Sequence, residues 1–222
     1  PHIGYFQLVN AVDHFIFYDD VNFIKRGWIN RNRILLNGKD LLLTVPLIKA
    51  SQNKLINEID LFFDQQMKDD LIFKIECAYS KAPYYNELKS LINEIINTNV
   101  TKISEYAANS VISVSNYLEI DTTFDFSSIR SPESKGMHKA DRLIHICRDL
   151  EADKYINSIG GQGLYEKEYF QSKGIHLSFL DSYPEPYSQF NFDFVSNLSI
   201  IDILMFNKKT VVKEMLDKYK LI

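Results

Sequence analysis

Hydrophobic spacing divides the chain into an opening α/β segment, a helical middle and a second α/β segment. Residues 4–13 carry apolar side chains three and four positions apart, which predicts a short helix. The next stretch, 14–21, is apolar until it reaches two carboxylates, as in a buried strand that ends at a functional edge. An Asn-Gly signal at 37–38 predicts a hairpin that joins Arg33–Leu36 to Leu41–Val45.

The middle of the chain reads as helical. Three segments show the three-and-four spacing of amphipathic helices: Asp64–Tyr79, Asn86–Asn97 and Lys102–Leu118. No strand pattern lies between them, and their apolar faces need burial. We therefore expect a helical insertion over about 64–118 that packs on or beside a sheet.

From residue 137 onward, helical and strand patterns alternate. The predicted elements are a helix (Met137–Leu150), a strand (Lys154–Ile159), a helix (Tyr165–Lys173), a strand (Ile175–Leu180) and a terminal helical hairpin (Ser196–Asn207 and Val211–Tyr219). Such alternation favours parallel strands joined by crossover helices. The predicted class is α/β, with a mainly parallel sheet that includes His14–Tyr18 and the two later strands.

Composition narrows the class of protein. Of 222 residues, 45% are hydrophobic and 24% charged, which is ordinary for a globular protein and excludes disordered and disulfide-scaffold classes. The length favours a single domain over residues 1–222. No apolar run approaches the roughly 18 residues of a membrane-inserted helix. The net charge of -4 argues against nucleic acid as a partner. Cys77 and Cys147 lie in helical patterns and are expected to be reduced core thiols of a cytoplasmic protein.

The first candidate site is the start of the opening helix, Pro1-His2-Ile3-Gly4-Tyr5. A histidine followed by glycine at a helix N-terminus can meet a phosphate, because free N–H groups point outward there. The pattern H-x-G-H marks a nucleotidyl-transfer fold, but Tyr5 replaces the second histidine here. The alternative interpretation is a chance match at a helix cap.

The second candidate is the block from Asp19 to Arg33. Two carboxylates, Asp19 and Asp20, precede a stretch without acidic residues that holds Lys25, Arg26, Trp28, Asn30, Arg31, Asn32 and Arg33. Arginine forks suit phosphate, amides suit sugar hydroxyls, and tryptophan can stack on a ring. The alternative is a solvated basic loop with salt bridges to the two aspartates.

The third candidate is the glycine-rich turn that includes Gly160 and Gly161, together with Tyr165. A strand, a glycine-rich turn and a helix start can cradle phosphate. The spacing fits neither G-x-G-x-x-G nor a Walker loop, so a plain tight turn is the alternative.

The fourth candidate is the proline-held segment PEPYSQF, in which Tyr187 and Gln189 would face one side. A rigid surface connector is the alternative. Asp202 follows among apolar neighbours, so its carboxylate must be paired or hydrogen-bonded. The remaining histidines have no metal-ligand spacing, and no metal site is predicted from them.

Taken together, these blocks resemble the WbqC-like family, bacterial proteins often encoded among O-antigen and surface-polysaccharide genes. The matching stretches are PHIGYFQLVNAVDHFIFYDDVNFIKRGWINRNRI, LLLTVP, AYSKAPYY, ADRLIHIC, GGQGLY, GIHLSFLD, PEPYSQF and LSIIDILMFN. The resemblance covers nearly the whole chain in order. It implies a nucleotidyltransferase-like α/β start, and a short strand before the position of Pro1 that residues 1–222 do not contain.

The resemblance implies an enzyme of surface-glycan biosynthesis that acts on a nucleotide-linked amino sugar, by acyl or aminoacyl transfer. The Lys25–Arg33 block would hold the diphosphate, Asp19 or Asp20 would act as general base on an amine or orient a sugar hydroxyl, and the glycine-rich turn would close the site. One alternative is a nucleotidyltransferase with His2 on a phosphate and a divalent metal, bound with the nucleotide, on Asp19 or Asp20. Another is a non-catalytic nucleotide-sugar-binding accessory protein. All these residues are expected to border one pocket, and the oligomeric state is left open.

Overall fold

Nine α-helices and seven short strands make up the computed structural model, which describes residues 1–222. The α-helices are α1 (Ile3–Asn10), α2 (Gln65–Tyr79), α3 (Tyr85–Asn97), α4 (Ile103–Tyr117), α5 (Ser127–Arg130), α6 (Lys139–Asp149), α7 (Lys167–Ser172), α8 (Ile200–Phe206) and α9 (Lys209–Leu216). The strands are β1 (His14–Phe17), β2 (Arg31–Leu36), β3 (Lys39–Thr44), β4 (Thr123–Phe126), β5 (Lys154–Ser158), β6 (His176–Ser182) and β7 (Tyr219–Leu221). The mixed α/β class is therefore confirmed.

The hairpin forms where the Asn-Gly signal placed it. β2 and β3 pair antiparallel, from Arg31 opposite Thr44 to Leu36 opposite Lys39. Asn37 and Gly38 both have positive φ, 51° and 75°, which is the conformation that a tight hairpin turn of this kind requires. This hairpin carries Arg31 and Arg33 of the second candidate block.

The remaining strands form two small sheets. β1 pairs in parallel with β4, and the crossover between them contains the hairpin and α2–α4. β5 pairs in parallel with β6, which also pairs antiparallel with β7. The prediction of parallel strands is confirmed for these two pairs.

The prediction that β1 shares one sheet with β5 and β6 is wrong. A groove of about 640 Å³ separates β1 from β5, and no strand bridges it. Alternation along the chain predicts which segments are strands, but their order in space depends on packing that local pattern does not encode. The nucleotidyltransferase-like topology is therefore not confirmed.

The main hydrophobic core joins distant parts of the chain. It contains 26 buried residues, drawn from α1, the hairpin, α2–α4 and the two C-terminal helices. A second cluster of seven buried residues lies between α6, α7, β5 and β6. The groove lies where these two groups of elements meet, so it runs between separate cores.

Two smaller predictions are corrected by the structure. Tyr219 belongs to strand β7 rather than to the last helix, because the free edge of β6 takes up the chain end. Cys77 is exposed, since the helical period turns Ile75, Ala78 and Tyr79 toward the core instead. Cys147 is a buried free thiol, and burial raises its pKa to about 11. No helix has the length and apolarity that crossing a bilayer would need.

Candidate functional site

A cavity of about 860 Å³ lies between the hairpin, the ends of α1 and β1, and helices α2–α4. Its charged side chains and its histidine all come from the first third of the chain. The polar side chains of this part include His2, Asp19, Asn30, Arg31, Asn32 and Arg33, with Trp28 beside them. We call this end of the cavity the mouth. The mouth contains much of the first two candidate blocks.

Two arginines flank the Trp28 ring at the mouth. Strand alternation places Arg31 and Arg33 on one face of β2, and their Cζ atoms lie 5.4 and 5.0 Å from the centroid of the Trp28 ring. Trp28 itself is 59% exposed. Both contacts are within cation–π distance, so the exposed ring orients two guanidinium groups toward the same opening.

The two arginines differ in their partners. Arg31 Nε donates to the carbonyl oxygen of Gly27 over 2.8 Å, and Arg31 forms no ion pair. Arg33 Nε lies 3.5 Å from an Asp40 carboxylate oxygen, in a half-exposed pair. Arg31 therefore keeps its full positive charge available to a ligand, whereas that of Arg33 is partly compensated.

The two asparagines hold the mouth in place as well as lining it. Asn30 Nδ2 donates to the carbonyl oxygen of Val45 over 2.8 Å, which ties the basic loop to the end of β3. Asn32 Nδ2 donates to Ser199 Oγ over 3.1 Å, which connects β2 to the start of α8. Their amide groups thus reach the cavity from fixed positions.

Asp19 is held by four hydrogen bonds from two other segments. The Ser128 backbone N–H donates to Oδ1 over 3.1 Å, and the single Ser127 Oγ proton is shared between this oxygen, over 3.2 Å, and Asp20. Ser128 Oγ and Asn57 Nδ2 donate to Oδ2, over 2.7 and 3.1 Å. These serines directly follow β4, the parallel neighbour of β1, so the carboxyl ends of both strands meet here. The result is an oriented carboxylate at the cavity wall.

Asp20 turns away from the cavity and forms a buried ion pair. Its Oδ1 accepts from Arg142 and from Ser127 Oγ, each over 2.5 Å, while Oδ2 is buried without a partner. The Arg142 guanidinium also lies 4.5 Å from the ring centroid of Tyr18. Burial alone would raise the pKa of Asp20, but the hydrogen bonds from Arg142 and Ser127 outweigh it and lower the pKa.

The two aspartates do not fit a divalent metal site. Their oxygens already accept from serine, asparagine and arginine donors, and no group of three or more metal-ligating side chains occurs in residues 1–222. A cation would have to displace the Arg142 pair or the Asn57 bond.

His2 caps the helix that begins beside the mouth. Its Nδ1 accepts from the Gly4 backbone N–H over 3.1 Å, so the proton of the neutral ring lies on Nε2. Desolvation lowers the pKa of His2, which keeps the ring neutral at neutral pH. A Cβ at Gly4 would lie 2.9 Å from His2 Cε1, so glycine permits this close cap. Tyr5 lines the cavity one residue further on.

The glycine-rich turn lies elsewhere. Gly160, Gly161 and Tyr165 line the groove between β1 and β5 rather than the cavity. Tyr5 and Tyr18 line both spaces and form the wall between them. The expected single pocket is therefore divided in two by these tyrosines.

Four other candidates lie outside both spaces. Lys25 and Arg26 are exposed on the loop before the hairpin. Tyr187 Oη and Gln189 Nε2 each donate to Asp202 Oδ2 over 2.6 Å, inside the protein. Burial raises the pKa of Asp202 even though three donors surround it. The polar groups of Tyr187 and Gln189 are thus bound to Asp202.

Comparison with known proteins identifies the family to which this chain belongs. The sequence model of the WbqC-like protein family matches residues 1–214. The chain belongs to this family. It is similar to "Uncharacterized protein Rv1507c" of Mycobacterium tuberculosis, with 27% identity over 220 residues that cover 92% of this chain and 88% of the relative. No solved structure matches it. The resemblance seen in the sequence is therefore confirmed for this WbqC-like protein.

Sequence reasoning missed the residues that hold the two aspartates in this WbqC-like protein. Arg142 carries a signal, because it lies on the apolar face of α6 with Leu143 and Ile146, where a charge needs a buried partner. Ser127 and Ser128 could have been found only from the pairing of β4 with β1. Asn57 had no signal, since it lies in a single 3₁₀ turn, Ile56–Glu58, far from Asp19 in the sequence.

Proposed function

We propose that this WbqC-like protein is a transferase of bacterial surface-glycan biosynthesis that acts on a nucleotide-linked amino sugar. The observation that carries the proposal is that Asp19 lines the same cavity as Arg31 and Arg33, whose guanidinium groups lie beside the Trp28 ring. Family membership supports it, because the family resemblance pointed to the same class of substrate. Binding such a substrate requires guanidinium groups for the diphosphate, an exposed aromatic ring for the base or sugar, and a fixed carboxylate near the amine.

Each group has a place in the proposed complex. The Arg31 and Arg33 guanidinium groups bind the diphosphate, since arginine forks match phosphate oxygens in pairs. Trp28 stacks on the base or sugar ring, and the Asn30 and Asn32 amides bind hydroxyl groups. Lys25 and Arg26 on the adjoining loop add positive potential that attracts the anionic ligand.

Asp19 is the candidate general base. Its donors hold the carboxylate at the cavity wall. As the sugar amine forms its bond to the acyl carbon, the bond from that carbon to the donor's carrier breaks and the carrier leaves. Once Ser128 Oγ turns away and frees a lone pair of Oδ2, Asp19 accepts the proton that the amine loses and passes it to the departing carrier. In this proposal Asp20 is a positioning residue, because its pair with Arg142 fixes the chain directly after Asp19.

One observation favours nucleotidyl transfer as a second function. His2 lines the same mouth with Nε2–H free to donate to a phosphate. The separate sheets remove the topological argument for that reaction, so His2 alone supports it. A non-catalytic binding protein is the third possibility, since the mouth lacks a serine or cysteine nucleophile. A measurement of product formation separates this binding protein from the proposed transferase and from a nucleotidyltransferase, because only the two enzymes turn over substrate.

A thermal-shift panel of nucleotides, nucleotide sugars and inorganic phosphate tests the proposal. A ligand at 100 times its dissociation constant should stabilise the protein by about 2.7 kcal/mol. Nucleotide sugars should give the largest shift, and Arg31→Ala should reduce it. Lys74→Ala, on the exposed side of α2, is the matched control and should keep the shift. The absence of any shift with every nucleotide sugar would contradict the proposal.

A further inference from the structure

The cavity has a second end of different chemistry, formed by helices α2, α3 and α4. No Lys, Arg, Asp, Glu or His of these three helices lines it. The side chains that do so are mostly branched aliphatic groups: Leu71, Ile75, Ile92, Ile95, Ile96 and Val111. We call this end the apolar chamber. Charged groups thus reach the cavity only from residues 1–33, and the three helices add none.

The few polar groups in the chamber give little to a polar ligand. Ser110 Oγ already donates to the carbonyl oxygen of Ala107 over 2.7 Å. Ser104 and Tyr106 are the other polar side chains that α4 contributes. A sugar placed here would bury several hydroxyl groups without partners, which costs free energy for each group. The lining therefore disfavours the carbohydrate end of a nucleotide sugar.

We propose that the apolar chamber binds a single hydrocarbon chain, carried by a ligand whose phosphate-bearing head lies at Arg31 and Arg33. Apolar cavities of this kind stay dry and favour hydrocarbon over water. The charge at the mouth complements an anionic head, because Arg31 has no carboxylate partner. The inference rests on the proposed function for the position of the phosphate, and adds an acyl- or isoprenyl-type chain to the substrate class.

A series of alkyl phosphates of increasing length tests directly whether a hydrocarbon chain binds in the apolar chamber. Ethyl, butyl, hexyl and octyl phosphate, each below its micelle concentration, are titrated into the wild-type protein by calorimetry. Each methylene that enters the chamber should raise affinity by about four-fold. Affinity that stays at the value for ethyl phosphate along the whole series would overturn the proposal.

A variant in which a larger side chain fills the apolar chamber tests where the hydrocarbon chain binds. Ala107 lines the cavity from α4, and Ala107→Phe should reduce the affinity for octyl phosphate to that for ethyl phosphate. Asn116→Phe adds the same side chain to the exposed face of α4 and should keep the full chain-length dependence. Chain-length dependence that persists in Ala107→Phe would overturn the assignment of the chain to this chamber. If Ala107→Phe does not fold, the wild-type series decides alone.

Two competitors separate the possible sources of the chain. Dodecanoyl-coenzyme A presents it in solution, and an isoprenoid phosphate in phosphatidylcholine vesicles presents it at a membrane. Displacement of octyl phosphate by either supports the proposal and identifies the source, and displacement by neither overturns it. These results are distinguishable from those of the nucleotide panel. If nucleotide sugars bind but alkyl phosphate affinity does not rise with chain length, only the hydrocarbon-chain proposal is contradicted. If the affinity rises with chain length but no nucleotide sugar binds, only the proposed glycan substrate is contradicted.

Discussion

Arg31 and Arg33 stand two positions apart on one strand, yet their surroundings give them different strengths as anion ligands. Both guanidinium groups flank Trp28. Only Arg33 shares its charge with a carboxylate, that of Asp40. The sequence indicated that one of the two arginines would matter more but not which one, because the diagonal cross-strand neighbour that distinguishes them, Asp40, is fixed by hairpin register.

Arg31→Ala should weaken nucleotide-sugar binding by about 1–3 kcal/mol, because a charge-assisted contact to phosphate is lost. Arg33→Ala should lose less, since Asp40 already compensates part of its charge. Titration calorimetry measures both, with circular dichroism to check folding. Unchanged affinity in both variants would remove the phosphate-clamp role.

Arg142→Ala should destabilise the protein by about 3–5 kcal/mol at neutral pH, because Asp20 would remain buried and unpaired. The pKa of Asp20 is lowered in the folded state, so the stabilisation is present above the unfolded pKa of about 4 and is lost as pH falls through the folded value. The difference between wild type and variant should therefore shrink in acid.

Urea denaturation at pH 7 and at acidic pH measures this difference. Arg148→Ala, at an exposed position of the same helix, is the control and should cost little at either pH. An equal cost for the two arginines at pH 7 would contradict a structural role for the Asp20–Arg142 pair.

At the scale of elements, one hydroxyl group connects α2, β2 and α8. Tyr79 Oη accepts from the Leu35 backbone N–H and donates to Asp202 Oδ1, each over 2.8 Å. Tyr187 and Gln189 complete the shell of Asp202. This network explains how a carboxylate with no exposed surface persists among apolar helices.

Tyr79→Phe should destabilise the protein by about 1–3 kcal/mol, because it leaves one N–H and one carboxylate oxygen buried without a partner. Tyr117→Phe removes a hydroxyl group that donates to Glu87 at the surface, and should cost much less. Equilibrium unfolding in urea compares the two. Equal losses would show that the Tyr79 network contributes no more than a surface contact.

The sequence largely predicted which segments form helices and which form strands, but it did not predict which strands pair with each other. Helices α2, α3 and α4 begin and end within about two residues of their predicted bounds, because their apolar period is long and regular. The hairpin followed from two residues that tolerate positive φ. The pairing of β1 with β4 joins residues more than a hundred positions apart, and no local pattern encodes it.

The candidate site was predictable to a similar degree. The residues from Asn30 to Arg33 lie next to one another in sequence, so their common location at the mouth followed from one motif. Gly160 and Gly161 were expected in the same pocket only because β5 was expected beside β1. The apolar chamber was invisible in the sequence, since its isoleucines look like ordinary core positions of amphipathic helices.

At the scale of the whole molecule, the two largest of three hydrophobic clusters differ in size. The larger holds 26 buried residues and the smaller seven, and the groove lies between their elements. Local opening free energy follows the apolar area that a unit buries. The two parts should therefore open separately below the global transition.

Native-state hydrogen exchange should show this separation. Amides of β5, β6 and α7 should exchange at lower denaturant than those of α2–α4, because fewer apolar contacts hold them. Mass spectrometry of peptic peptides resolves the two groups. A single shared opening free energy for both sets of peptides would contradict the prediction.

The groove also bears on how molecules meet one another. β1 and β5 each pair on one side only, so each presents an edge of backbone N–H and C=O groups to the groove. Unpaired edges are templates for strand addition by neighbouring chains. Association should then rise with protein concentration, as measured by light scattering. Ile156→Lys, which places a charge at the β5 edge, should suppress it, whereas an exposed change such as Asn116→Lys should not.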